Sequence, residues 1–180
     1  MRCEGRVRGI QCMTACGDVV ISGHDDGCLR VWNTALGRCD HVLRGHTRIV
    51  SCISSRAQYL VSGSWDKTIK VWEMGGPGSW PCLGTIAVHT DKVRAIGVWE
   101  GRVISGSNDK KISVHDIVTR QHEATVDAHI GPVNALAVTG GRLYSTGYDG
   151  TIGVWALGTF QLVRRVLVSE HVHGACIAWP

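Results

Sequence analysis

An all-β chain built from four repeated sheets is what this sequence predicts, and three observations carry the prediction. Short runs of alternating apolar and polar residues recur along the chain, as half-buried strands require. Turn-forming residues punctuate them: 23 of the 180 residues are Gly, which suits many tight turns rather than long helices. One constellation of polar side chains also recurs in register through four copies.

The register is clearest in Val61–Glu73, VSGSWDKTIKVWE. Its Asp66 has counterparts in Asp26, Asp109 and Asp149, at intervals of 40, 43 and 40 residues. Four residues before each Asp lies a Ser: Ser22, Ser62, Ser105 and Ser145. Six residues after each come Trp32, Trp72, His115 and Trp155. Sixteen residues before each Ser come Arg6, His46, His89 and His129. From that position to the Trp position the four copies align without a gap. In the second copy the alternating runs fall near Val50–Ser54, Tyr59–Ser64, Thr68–Trp72 and Cys82–Ala87. Four short antiparallel strands in about 40 residues make one blade of a β-propeller. The blades are placed at 1–45, 46–88, 89–128 and 129–170, and 171–180 is the start of a fifth.

Gly45–His46 and the Trp-acidic ending Trp72–Glu73 resemble a WD40 repeat, and the resemblance covers nearly the whole chain. The second copy fits the pattern best. The third ends in His115–Asp116 and the fourth in Trp155–Ala156. The resemblance implies hydrogen-bonded tetrads: His46, Ser62, Asp66 and Trp72; His89, Ser105 and Asp109 without a Trp; and His129, Ser145, Asp149 and Trp155. The chemistry is sound in itself. An indole N–H donates, a hydroxyl donates and accepts, an imidazole bridges and a carboxylate accepts. Arg6 and His115 interrupt the set in blades one and three, which are expected to be softer.

Composition limits the function. The net charge of +4 is spread along the chain, with no like-charge run longer than a pair such as Arg164–Arg165. That argues against a nucleic-acid partner, whose binding face clusters Lys and Arg. No apolar run is long enough for a membrane helix, and the N-terminus lacks a signal-peptide core. A cytoplasmic location is therefore expected, with the nucleus as the alternative. The eight Cys include no C-x-x-C pair. Cys12 and Cys52 occupy equivalent repeat positions, which suits small buried hydrophobes.

Ser, His and Asp are the residue types of a catalytic triad, but a nucleophile is needed once and this set recurs blade after blade. A non-enzymatic fold with no cofactor is expected. A zinc reading fails likewise, because each His is fixed to its own blade; His171, His173 and Cys176 read as the next blade's loop. Because neighbouring strands run oppositely, the turn between strands two and three shares a face with the loop before strand one. WD40 proteins commonly bind partners there. By resemblance the partner-binding positions are Asp25, Trp65, Asn108 and Tyr148, just before each Asp, with Ile49, Ser51, Lys92, Arg94 and Asn134 near the start of strand one. Trp65 and Tyr148 are suited to anchor a partner. The longer loop EMGGPGSWP (73–81) lies on the opposite face, and its Trp80 is expected to fold back onto the blade.

These features imply a scaffold for a protein or peptide ligand. The compact hairpins AVTGGRLYS and GVWEGRVIS resemble those of F-box proteins with WD40 propellers and other ubiquitin-ligase-associated WD40 domains. That suggests substrate recruitment as a ubiquitin ligase adaptor, with Lys92 and Arg94 available to an acidic peptide. The basic residue that many such propellers carry three after the Trp is absent, since Ala35, Gly75, Val118 and Gly158 stand there. Direct docking to a cullin adaptor is not supported. The alternative reading is an RNA-associated WD40 protein of a ribonucleoprotein complex. Four blades and the start of a fifth also imply an open arc, cut from a longer propeller. Such an arc exposes apolar end faces that self-associate or are completed by blades from another chain.

Overall fold

The computed structural model describes residues 9–75 and 79–168, and among them every regular element is a strand. Arg6, the segment 171–180 and residues 76–78 of the long loop lie outside the described residues. Sixteen strands form four antiparallel four-stranded sheets, each ordered as in the chain. Blade 1 holds β1 (Ile10–Cys16), β2 (Val19–His24), β3 (Leu29–Asn33) and β4 (Arg38–Leu43). Blade 2 holds β5 (Val50–Arg56), β6 (Tyr59–Ser64), β7 (Ile69–Glu73) and β8 (Cys82–Ile86). Blade 3 holds β9 (Val93–Trp99), β10 (Arg102–Ser107), β11 (Lys111–Asp116) and β12 (His122–Asp127). Blade 4 holds β13 (Val133–Thr139), β14 (Arg142–Gly147), β15 (Thr151–Ala156) and β16 (Leu162–Leu167).

The turns follow from the residues in them. Glu100–Gly101 and Gly140–Gly141, which join the first two strands of blades 3 and 4, have positive φ at both positions. That is the twist a two-residue hairpin needs. The residue after each repeated Asp is also left-handed: Gly27, Lys67, Lys110 and Gly150 have φ between 74° and 77°.

The core lies between blades rather than within them. Ile21, Leu29 and Val31 of blade 1 pack on Val50, Leu60 and Trp72 of blade 2. Val61, Ile69 and Val71 of blade 2 pack on Val93, Val103 and Ile117 of blade 3. Ile104, Ile112 and Val114 of blade 3 pack on Val133, Leu136, Leu143 and Trp155 of blade 4. At the heart of each junction a glycine admits a valine. A Cβ built on Gly23, Gly63 or Gly106 would lie 2.7, 2.6 or 2.5 Å from Val50, Val93 or Val133 of the next blade. Cys12 and Cys52 belong to these junctions, and burial pushes the Cys12 thiol up to about 12. They behave as small core side chains.

Among the described residues the arc does not close. Inner strands β1, β5, β9 and β13 pack in succession, while Ile10 and Met13 of β1 are 59% and 65% exposed. The long loop departs from expectation in one respect. Trp80 reaches past its own blade to the junction between blades 1 and 2, with its ring centroid 6.2 Å from that of His41 in β4.

Candidate functional site

In blade 2, Trp72 Nε1 donates to Ser62 Oγ at 2.9 Å, His46 Nε2 lies 2.8 Å from Ser62 Oγ, and His46 Nδ1 lies 2.8 Å from Asp66. One proton arrangement satisfies all of them: indole N–H to Ser, Ser O–H to Nε2, and Nδ1–H to the carboxylate. Thr68 extends the chain by donating its hydroxyl to Asp66 at 2.6 Å. Blade 4 repeats the arrangement with Trp155, Ser145, His129, Asp149 and Thr151. Burial alone would raise the Asp66 carboxyl. Hydrogen bonds from His46, Thr68 and Thr47 override it and hold the group well below the carboxylate range. The same contest takes Asp149 down to about 2. Such chains tie the loop before strand one to the turn between strands two and three.

Blades 1 and 3 depart in different ways. In blade 1, Trp32 donates to Ser22 at 2.7 Å, and His24 Nε2 lies 2.7 Å from the same hydroxyl. Asp26 is bridged by Arg30 at 2.7 Å, and that hydrogen bond is the first cause of its carboxyl falling to about 2. His24 thus supplies the imidazole beside Ser22, and Arg30 supplies the donor to Asp26, in place of one bridging histidine. Both were findable. His24 is two residues from Ser22, hence on the same face of β2, and Arg30 pairs with Ser22 across the sheet. In blade 3, His89 reaches Asp109 and Ser105, both at 2.8 Å, but no indole completes the chain. His115 is buried, and its Nδ1 has no partner. Burial, with His122 beside it, lowers the His115 imidazole to about 4.

The tetrads hold the turns that form the candidate face. In every blade the residue before the Asp is pinned by its backbone N–H to the residue before strand one. Asp25 bonds Gly9, Trp65 bonds Ile49, Asn108 bonds Lys92, and Tyr148 bonds Pro132, at 2.9 to 3.3 Å. This bond places the two sets of candidate positions side by side. Two groups then form across blade boundaries. Lys92 Nζ sits 4.1 Å from the ring centre of Trp65, joining blades 3 and 2. Arg94 lies over Tyr148 of blade 4 at 5.2 Å, donates to Asn108 Oδ1, and reaches the Tyr148 hydroxyl at 3.4 Å. Ser51 faces inward instead, donating to Val93 O of the next blade at 2.5 Å. Asp25 keeps one buried carboxylate oxygen without a partner, and Asn134 is half-buried in β13. The structure brings neither into the two cation–ring groups.

At the opposite end of the inner strands lies a cavity of about 500 Å³. Among the described residues its lining is hydroxyls, glycines and apolar side chains, with Arg56 the single charged one, so these offer no acid–base pair.

The repeats at residues 2–33, 37–73, 80–116 and 120–156 match WD40, the WD domain or G-beta repeat. The chain belongs to the WD40 family. The match is staggered against the sheets: the repeat at 37–73 takes β4 from blade 1 and β5 to β7 from blade 2. Among curated proteins the chain is 25% identical over 168 residues to the nuclear distribution protein PAC1 of Arthroderma otae, covering 86% of this chain and 36% of that one. It therefore spans about a third of that relative. Among solved structures it superposes on the computationally designed Ika8 protein with a TM-score of 0.86 at 29% identity, over 98% of this chain and 55% of that one. On the WD40 repeats of RRP9 the TM-score is 0.80 at 26% identity, over 89% of this chain and 52% of that one. WD40 propellers are typically non-enzymatic scaffolds that bind protein partners.

Proposed function

We propose that this WD40 chain binds an extended peptide segment of a protein partner on the face formed by Trp65, Lys92, Arg94, Asn108 and Tyr148. The observation that supports it is the pair of cation–aromatic contacts bridging blades 2, 3 and 4. Each cation is held over a ring at a blade boundary, with part of its surface in water. A partner finds rigid aromatic surface and oriented N–H donors together, at little further ordering cost. Lys92 and Arg94 favour an acidic segment. Substrate recruitment to a ubiquitin ligase is the finer reading. It rests on the hairpin resemblance alone, and the missing basic position after the Trp argues for an indirect link. The RNA reading has less support, because the net charge is spread along the chain with no like-charge run longer than a pair.

Affinity capture from cytosolic and nuclear extracts tests this, with quantitative comparison of wild type and a Trp65→Ala/Tyr148→Ala variant. A partner of this face drops by roughly tenfold or more, as loss of a hot spot predicts, while the circular-dichroism spectrum is unchanged. Val118→Ala, exposed on the opposite face, should leave capture intact. Equal loss with Val118→Ala, or none with the double variant, rejects the face.

A further inference from the structure

The outward face of blade 4 breaks the rule of the three junctions before it. Strand pairing aligns Gly23 with Cys12, Gly63 with Cys52 and Gly106 with Ala95; at the same register Ala135 pairs with Thr146. Thr146 therefore stands where each earlier blade has the glycine that admits the next blade's valine. Around it the face remains apolar. Tyr144, Ile152 and Val154 are half-buried, whereas their counterparts Ile104, Ile112 and Val114 are 0 to 1% exposed. Thr146 is 7% exposed, and its hydroxyl has no partner.

We propose that Thr146 is a specificity residue for this face: it refuses Ile10, of the same chain or of a second copy, and selects a further inner strand with a small residue opposite it. Ile10 occupies the blade 1 position of Val50, Val93 and Val133, so closure would drive its branched side chain into the space Thr146 fills. Even a lone Cβ at Gly106 would lie 2.5 Å from Val133, and threonine adds more beyond Cβ. The chain itself carries the fitting residue. Ala175 follows His171 by four residues, as Val50 follows His46, Val93 follows His89 and Val133 follows His129. Exchanging glycine for threonine on one side and valine for alanine on the other nearly conserves the summed volume, which packed cores tolerate best. The Thr146 hydroxyl gains a role as well. At two earlier junctions a side chain donates to the backbone carbonyl of the incoming valine: Cys12 to Val50 at 3.4 Å, and Ser51 to Val93 at 2.5 Å. The Thr146 hydroxyl would supply such a donor to the backbone carbonyl of an incoming strand.

A double-substitution cycle on the 180-residue chain tests the pairing. Wild type, Ala175→Val, Thr146→Gly and the double variant are unfolded in urea. Ala175→Val is expected to lower the midpoint beside Thr146 and to raise or preserve it in the Thr146→Gly background. Hydrogen exchange gives a second readout: Ala175→Val should speed exchange in β14 and β15 while leaving β2 and β3 unchanged. Identical midpoint shifts in both backgrounds, with unaltered exchange in β14, overturn the proposal. So does a light-scattering mass of twice 19.5 kDa that Ile10→Glu abolishes, because a second copy would then occupy the face.

Discussion

Ser145→Ala separates a complete polar chain from an incomplete one when compared with Ser105→Ala. Both serines are fully buried, and both lie 2.8 Å from the Nε2 of their histidine. Ser145 alone also accepts from an indole, Trp155 Nε1, at 2.8 Å. Its removal strands a buried donor and a buried acceptor, whereas removing Ser105 strands only the acceptor on His89. Ser105 also lies 3.4 Å from Ser113 O, a contact that is long and idle when the hydroxyl proton points to His89. An unsatisfied buried group costs about 1–3 kcal/mol, so Ser145→Ala should cost about that much more than Ser105→Ala. Urea unfolding followed by far-ultraviolet circular dichroism measures the difference, provided the dependence on denaturant is equal in the variants. Equal losses, or a larger loss for Ser105→Ala, would refute the tetrad as the organising unit of each blade.

Acid should unfold the chain in two windows. His115 falls from its ordinary 6.5 to about 4 when folded. The unfolded chain therefore binds a proton that the folded chain refuses, and stability drops as pH falls from 6.5 towards 4, by up to about 3 kcal/mol. His115→Gln should reduce the slope across that range in urea titrations at stepped pH, leaving the part that His129 contributes, because burial lowers its imidazole too. Asp26 and Asp149, both lowered to about 2, contribute stability present above the ordinary carboxylate value and lost as pH falls from about 4 through 2, in either protein. Lys67→Gly and Lys110→Gly should each stabilise by up to about 1 kcal/mol, because both lysines hold a φ of 74° that glycine adopts without strain. Lower thermal midpoints for both would show that the lysine side chains contribute more than the backbone loses.

The repeat was legible because the tetrad needs four side-chain types at fixed chain separations, and a gap would uncouple them. Strand limits in blade 2 followed closely: Tyr59–Ser64 was read from alternation and turns and is found at those limits, while β5 runs on to Arg56. The contacts that shape the candidate face were less legible. Lys92 meets Trp65, and Arg94 meets Tyr148, only across blade boundaries, and those distances depend on how sheets splay rather than on spacing along one strand. Trp80 shows the same limit: its loop was recognisable, but its landing place on blade 1 was set by a neighbour's surface. His24 and Arg30 were within reach of strand geometry, but they stand away from the repeated histidine position, which blade 1 fills with Arg6.

The stagger between repeat and sheet makes the chain its own splice. The repeat ending at Glu73 leaves β8 to the following repeat, so a cut at a repeat boundary never releases a finished sheet. A fragment ending at Glu73 would keep β5, β6 and β7 but lose their outer neighbour, baring the edge of β7 to any strand that could pair with it. Protein engineers who want a separable piece should cut in the loop after β8 instead, just before His89, where each sheet keeps all four strands. By the same logic, duplicating one repeat inserts a whole blade wherever the duplication starts, because the frame is cyclic. An array of this kind can lengthen in single steps without leaving a ragged sheet at the seam.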